Sequence, residues 1–541
     1  MHFKTLAALL LLSAAAAPAQ PAAEGPEFTP ERFRSHVAFL GDDMLEGRDA
    51  GSRGYEIAAR YVATQFEGLG LKPGGEGGGW YQQVPFVQFR LDGAQGSVSV
   101  GGRRFAQGQE VLLSPSAVEG VQTIDAPVVF AGYGIDSADA GMSDYKGLDV
   151  RGKVVAVLSG YPKGMASDVG AHLNSEKRRM AEARGAVGLI TIRTRAESER
   201  RAWARLQEGA GDPAMTWLGK EGAPFSPAPG VRFRATFDTP AAEALFAGSK
   251  RSLAQVLADA DKAGGRPKGF ALKPKVRFEQ ESRVTRVASP NVLAVLPGSD
   301  PALQDEYVLL MAHLDGLGVK EHGEDDIHNG AMDNSTGIAT MLEVARAMST
   351  GGNRPKRPIL FAAVTAEEDG LLGAQYLAKN PVVKNGAVVG VVNLDMPILT
   401  YDFQDVIAFG AEHSTMGPIV ARAASRMGIA LSPDPLPQEG LFTRSDHYRF
   451  VQEGVPAVFL MTGFANGGRE KFTHFLSTDY HRPSDDLKLP FDWNAGAKFA
   501  RINYLIANEI ANAPQAPRWY SDSFFGRSVA SGQEKAKRER P

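Results

Sequence analysis

The sequence predicts an α/β protein with a mixed, largely parallel sheet flanked by helices and an inserted β-rich block. Three observations carry that expectation. From Pro290 onwards, nearly continuous apolar runs of strand length alternate with helical segments, as a sheet covered on both faces requires. From about Gly96 to Lys275 the texture is different, with short β-rich runs between Gly and Asp turns. Ahead of that block lie two helical segments, so the β-rich stretch interrupts the unit rather than preceding it.

Length and composition bound the function classes. The chain has 541 residues, 59 basic and 62 acidic side chains, a net charge of -3 and no cysteine. That is ample material for a buried core. Near-neutral charge argues against nucleic acid as the partner. Without cysteine there are no disulfides, thiolate nucleophiles or Cys-ligated zinc, so any metal must sit on nitrogen and oxygen.

In chain order, His2 and Lys4, the apolar run Leu6 to Ala17 and the small-residue site Ala17-Pro18-Ala19 read as a signal peptide over residues 1–19. The mature chain then starts near Gln20, exported to a periplasm or secreted. No later stretch reaches about 18 apolar residues, the length of a membrane span. Thr29-Pro30-Glu31 opens a helix, a capping hydroxyl followed by proline. A second helix runs from about Arg53 to Glu67, with Ala58, Tyr61, Val62 and Phe66 at helical spacing. Gly74 to Gly79 is a loop. Residues 20–97 are expected as the N-terminal part of the main domain.

Within residues 98–270, Ala126–Phe130, Lys153–Leu158 and Val187–Ile192 read as strands and Glu176–Arg184 as a helix. Past Pro290 the candidate strands are Val292–Val295, Val308–Ala312, Ile359–Val364, Val388–Leu394, Val406–Phe409 and Ala457–Met461. Helical segments fall at Gly337–Met348, Leu371–Lys379, Met416–Met427, Ser445–Glu453 and Trp493–Ala511. The main domain is expected to resume over 276–515. Residues 516–541, ending in the charged stretch Glu534 to Arg540, read as a solvated tail.

Ligand sites in such folds lie beyond the carboxyl ends of strands. There the chain carries His313 and Asp315, then Asp333, then Glu367 and Glu368, then Asp395, and in a late loop His481. Singly, each has a plain reading. Asp333 could cap the following helix, the two glutamates could start a solvated one, and His481 could be an exposed loop residue. Jointly, two histidines and three carboxylates without cysteine suit a pair of zinc ions. Paired glutamates allow one to bind metal while its neighbour moves a proton.

These motifs resemble metallopeptidase family twenty-eight, the co-catalytic di-zinc aminopeptidases of the aminopeptidase Y/S and bacterial leucyl aminopeptidase type, with a zinc-exopeptidase (phosphorylase/hydrolase-like) fold. The resemblance rests on Leu45-Glu46-Gly47-Arg48, Gly51-Ser52-Arg53-Gly54, Ala312-His313-Leu314-Asp315, Gly330-Ala331-x-Asp333-Asn334, Glu367-Glu368-x-Gly370-Leu371-Leu372-Gly373, Asn393-Leu394-Asp395-Met396 and Tyr480-His481-x-Pro483. The string Asp144-Tyr145-x-Gly147-x-Asp149-Val150-x-Gly152-Lys153 resembles a protease-associated (PA) domain over residues 98–270.

The resemblance implies an exported aminopeptidase with two Zn²⁺ per chain, acting on peptide or protein N-termini through a metal-bridging hydroxide. Asp333 would bridge the metals, with Glu368 and His481 completing one site and His313 and Asp395 the other. Glu367 would be the general base, and Asp315 would accept the second ring N–H of His313. A cis peptide between Asp333 and Asn334 is also implied. Phe442, Arg444, Asp446 and His447 would lie at the substrate pocket. Where many relatives place a second histidine after the His-x-Asp motif, this chain has Gly316. Two alternatives stay open: a carboxypeptidase or dipeptidase on the same site, for which Arg444 and Arg482 are the motif-adjacent carboxylate binders, and a non-catalytic relative. Oligomeric state is not legible.

Overall fold

The computed structural model describes residues 25–92, 96–320, 325–352, 354–383 and 386–538; the expected signal peptide lies outside them. Among the described residues, no helix is long and apolar enough to cross a membrane.

Four strands form the centre of the main sheet in the spatial order Ile359–Val364, Glu306–His313, Ala387–Leu394 and Ala457–Thr462, all parallel. Antiparallel strands flank them, Phe270–Leu296 on one side and Asp405–Phe409 on the other. Every residue of Ile359–Val364 and Ala457–Thr462 is buried, the consequence of helices on both faces. Helices Pro30–Leu40, Thr336–Thr350 and Trp493–Asn512 pack on one another. The first buries Phe33, Val37 and Leu40 and is capped by the Thr29 side chain, which accepts from the Arg32 N–H. Burying each such side chain stabilises by about 1.5–3 kcal/mol. Helix Arg53–Gly68 contacts both Phe270–Leu296 and Thr336–Thr350. Residues before the insert therefore share one core with those after Pro290.

In the insert, Gly120–Phe130, Val154–Leu158, Gly188–Ile192 and Phe233–Phe237 run parallel in that order, with Val111–Leu113 antiparallel beside the last. This unit is less purely β than its sequence texture suggests. It carries helices Ser167–Ser175, Lys177–Ala183, Thr239–Phe246 and Leu253–Ala260. The last two have legible starts, Pro240 in the first turn and a Ser252/Gln255 capping box. No linker separates insert and main unit at 270–276. One strand, Phe270–Leu296, runs straight through, pairing in turn with Gly120–Phe130, Tyr81–Leu91 and Ile359–Val364. Pro274 and Pro290 within it break the usual strand signature and concealed its length.

The C-terminal segment is not a solvated tail. Trp519 and Phe525 are buried, the Trp519 indole N–H donates to the Gly454 carbonyl at 2.8 Å, and Ala536 pairs with the Trp519 and Ser521 backbone. Its aromatic residues outweigh its charges. It meets the insert at a shared junction, where His413 Nε2 lies 2.6 Å from Asp168 Oδ2 and Nδ1 lies 3.3 Å from the Ser523 hydroxyl.

Candidate metal centre

Three of the parallel strands deliver the site at their carboxyl ends. His313 is the last residue of Glu306–His313, Asp395 follows Ala387–Leu394, and Glu367 and Glu368 stand three and four residues past Ile359–Val364. Asp333 occupies the turn Ala331–Ser335 that leads into helix Thr336–Thr350. His481 follows helix Gly468–Thr478, with φ 59° in the left-handed region.

The structure brings these residues together in two groups that share Asp333, namely His313, Asp333 and Asp395, and Asp333, Glu368 and His481. His313 Nε2 lies 3.2 Å from Asp333 Oδ1 and 3.2 Å from Asp395 Oδ1. His481 Nε2 lies 3.5 Å from Asp333 Oδ2 and 3.1 Å from Glu368 Oε2. Each oxygen of Asp333 thus faces a different histidine.

The electrostatics are those of a site short of positive charge. Burial works against a charged His313, yet Glu367, Asp395 and Asp333 outweigh it and raise its pKa. Burial likewise opposes a charged His481, but Glu368 and Asp333 push it up to about 10. Asp333 is depressed, burial being overcome by the two histidines. Burial raises Glu367 well above the carboxylate range, and the charges of Asp395, Glu368 and Asp446 add to it. Asp446 is fully buried with neither carboxylate oxygen hydrogen-bonded, and Asp315 Oδ1 is orphaned too. Buried polar atoms without partners are rare. Together with an all-oxygen and nitrogen donor set, they fit divalent cations held between Asp333 and its neighbours.

Surrounding residues fix these side chains. The Ser445 hydroxyl donates to Asp395 Oδ2, and the Asn393 amide donates to Ser445 Oγ at 2.6 Å. Asp485 accepts from the Met332 and Asp333 N–H groups at 2.7 and 3.0 Å, holding the turn that carries Asp333. Asn334 ties that turn to the next strand end, its amide donating to the Leu394 carbonyl at 2.9 Å. A side chain at Gly337 would put Cβ 2.2 Å from Asn334 Oδ1, so the close approach demands glycine. The Asp333–Asn334 peptide is cis.

Arg48, fully buried, donates to the carbonyls of Leu40, Leu314, Asn329 and Gly330, joining the loops after His313 and before Asp333. Gly316 sits beneath this clamp, where a Cβ would lie 2.7 Å from the Gly47 carbonyl. Arg48 lies inside the motif Leu45-Glu46-Gly47-Arg48, Asp485 lies two residues past Tyr480-His481-x-Pro483 and Ser445 follows Arg444, but nothing in their spacing marks them as supports. Tyr480 is a further residue without a role assigned from sequence. Its ring centroid is 3.8 Å from that of His481, and burial with the charges of Asp333 and Glu368 keeps the phenol protonated.

Some expected roles are placed differently. The closest acceptor to His313 Nδ1 is the Asp315 main-chain carbonyl at 3.2 Å, with the carboxylate at 3.9 Å. The Asp315 side chain instead accepts from the Glu368 N–H at 3.1 Å. Phe442 is buried among His413, His447 and Phe525. His447 is fully buried, its pKa pushed down to about 3 by burial. With Asp446 buried as well, these three present no surface to a substrate. Arg444 alone of the expected pocket residues is half-exposed.

Residues 291–507 match the model of peptidase family M28. Leupeptin-inactivating enzyme 1 of Streptomyces exfoliatus is 29% identical over 177 residues, 32% of this chain and 36% of that protein. Aminopeptidase Y of Saccharomyces cerevisiae is 28% identical over 257 residues, 46% of this chain and 42% of that protein. A probable zinc metalloprotease of Pyricularia oryzae is 28% identical over 263 residues, 42% and 51% of the two chains. The chain spans about half or less of the length of these curated relatives. Among solved structures, an aminopeptidase from Aneurinibacillus sp. strain AM-1 superposes with a TM-score of 0.50 at 20% identity, covering 91% of this chain and 95% of that one. The fold is shared over nearly the whole length of both.

Proposed function

We propose, from the match of residues 291–507 to the model of peptidase family M28, that this protein is an exported zinc aminopeptidase that removes N-terminal residues from peptides. The single observation that carries this is Asp333, one oxygen toward His313 and the other toward His481, with Asp395 and Glu368 completing two adjacent groups. His313 and Asp395 would hold one zinc, Glu368 and His481 the other, and Asp333 both. Zinc supplies Lewis acidity and lowers the pKa of water towards neutrality when bound.

The chain's own residues do the rest. Glu367 carries a raised carboxyl pKa, which suits a group that takes a proton from water and returns it to a leaving amine near neutral pH. Tyr480, kept protonated beside His481, offers an O–H to charge developing on the scissile carbonyl oxygen. Ser445 and Asp485 orient Asp395 and Asp333. Residues 98–270 act as a PA domain inserted into the peptidase unit. Export rests on the apolar N-terminal run, and N-terminal sequencing of the mature protein near Gln20 tests it.

The deciding experiment is metal analysis beside hydrolysis of aminoacyl, N-blocked and C-terminal reporter peptides, with and without zinc. About two zincs per chain and cleavage only of free N-termini are expected. Cleavage of N-blocked peptides from the C-terminus would make the protein a carboxypeptidase. Metal-independent or absent hydrolysis would overturn the peptidase reading.

A further inference from the structure

Between the insert and the main unit lies a cleft of about 2140 Å³. Small-molecule pockets reach about 1,000 Å³, so this one has room for several residues of a chain. Its lining carries eleven Arg and Lys side chains against five Asp and Glu, although the whole protein has a net charge of -3. Part of that excess is neutralised locally, Arg179 by Glu176 and Arg200 by Glu197, each at 2.9 Å.

Arg178 and Arg234, on the insert's side, are not. Neither has a carboxylate within ion-pair distance among the described residues. Arg178 gives one guanidinium N–H to Ser226 and Ala228, but its buried Nε has no partner. The Arg234 side chain makes no hydrogen bond among the described residues, and the charge that acts on it is that of Arg178, of the same sign. Glu182 acts on Arg178 only from beyond ion-pair distance, and no carboxylate offsets Arg234. Two neighbouring guanidinium groups so weakly compensated are poised to gain from an anion brought from outside.

The cleft reaches the elements that lead away from the candidate metal centre. Leu372 and Gln375, on the helix that follows the Glu367–Glu368 turn, line it, and so does Arg449, which donates to the Gly370 carbonyl at 2.8 Å. We propose that the cleft receives the portion of a peptide beyond the cleaved residue, and that Arg178 and Arg234 bind a carboxylate on it. Peptides acidic beyond their first residue are then the preferred substrates. This rests on the peptidase reading above. The carboxylate can come from an Asp or Glu side chain or from the peptide's C-terminus, and a basic cleft also speeds the encounter with either.

The test uses the zinc-loaded full chain and amidated pentapeptides that share one N-terminal residue and carry Glu, Gln or Lys at positions three and four. A Gln peptide with a free C-terminus separates the two carboxylate sources. The Glu peptide should show a KM about tenfold below its Gln counterpart, the effect of one charge-assisted contact. The gap should close as salt rises from about 50 to 500 mM. Arg178→Gln and Arg234→Gln together should bring the ratio near one while cleavage of a single-residue aminoacyl reporter and thermal melting stay as in the parent. A second readout is fluorescence anisotropy of C-terminally labelled Glu and Gln peptides on the Glu367→Gln variant, which reads binding without turnover. Equal KM and equal binding for Glu and Gln peptides, with the reporter still cleaved, overturns the proposal alone. So does a preference that survives both substitutions. Failure to cleave any reporter overturns the peptidase reading, while the anisotropy still decides whether the cleft binds carboxylates.

Discussion

Ser445→Ala removes one oxygen atom and should weaken the site out of proportion to its size. The Ser445 hydroxyl donates to Asp395 Oδ2 and accepts from the Asn393 amide at 2.6 Å, and both Ser445 and Asn393 are buried. Losing the first bond costs about 1.5–3 kcal/mol, because its acceptor is a carboxylate. Losing the second leaves the Asn393 amide as a buried donor without an acceptor, a further cost of about 1–3 kcal/mol. The first loss frees Asp395 to rotate and should lower zinc affinity by about 10–100-fold, as substitutions behind metal ligands do. The second falls on folding alone.

The two are separable. In the double variant Asn393→Leu with Ser445→Ala, the orphaned amide is gone. Stability should recover by the second cost alone, about 1–3 kcal/mol, while zinc affinity stays low. Competition with a chelator at fixed free zinc measures the affinity, and melting of the metal-free protein measures stability. A Ser445→Ala variant that keeps parental zinc affinity within about twofold would refute the claim that this hydrogen bond orients a metal ligand.

Glu367→Gln should keep zinc near the parental content while kcat falls by about 10²–10⁴, the range for a lost general base. Glu368→Gln should lose zinc and regain part of its activity when zinc is added, and metal analysis beside kinetics tells the two apart. Phe525→Ala should destabilise by about 3–5 kcal/mol, the cost of emptying a fully buried aromatic site, read by denaturant unfolding. A tail free in solvent would show no change. Lys177, buried and donating to the Leu158 carbonyl at 2.7 Å, has its pKa pushed down to about 7 by burial. Its unfolded value is about 10.4, so between these limits the unfolded chain binds more protons and stability rises with pH. Lys177→Met should flatten the rise in stability from pH 7 to about pH 10, measured by urea unfolding across that window.

How much of the fold was legible depended on whether a segment's sequence pattern decided its structure. Ile359–Val364 is both an unbroken apolar run and a wholly buried strand, because helices cover both faces and every position answers to the same demand. Helix Trp493–Asn512 repeats its apolar residues at helical spacing and was equally plain. Phe270–Leu296 was not, because its neighbours change along its length. Where it pairs with Gly120–Phe130 and Tyr81–Leu91 its burial alternates, and only from Val292, beside Ile359–Val364, does it become apolar throughout. One strand therefore carries two signatures, and its prolines look like ends. The C-terminal segment failed for a related reason. Its charges are local and visible, whereas the partners of Trp519 and Phe525, Gly454 and Phe442, lie more than 60 residues earlier.

The candidate site divides along the same physical line. Metal-capable residues stand out jointly rather than singly: a lone histidine or carboxylate in a loop has plain readings, but five of suitable type in order reinforce one another. Residues that hold those side chains in place have no such mark. Arg48 acts through four main-chain carbonyls, which no sequence displays. Ser445 looks like any small residue at a helix start until Asp395 is found against it. The same limit acts in the other direction. The resemblance implies Phe442, Asp446 and His447 at the substrate pocket, yet all three are buried, because a motif does not fix which way a side chain points. Phe442 turns into an aromatic cluster that includes Phe525 from the C-terminal segment, while Arg444, two residues on, reaches the cleft. Sequence marks the groups whose type suits metal chemistry, and packing decides which of their neighbours are exposed and which hold the frame.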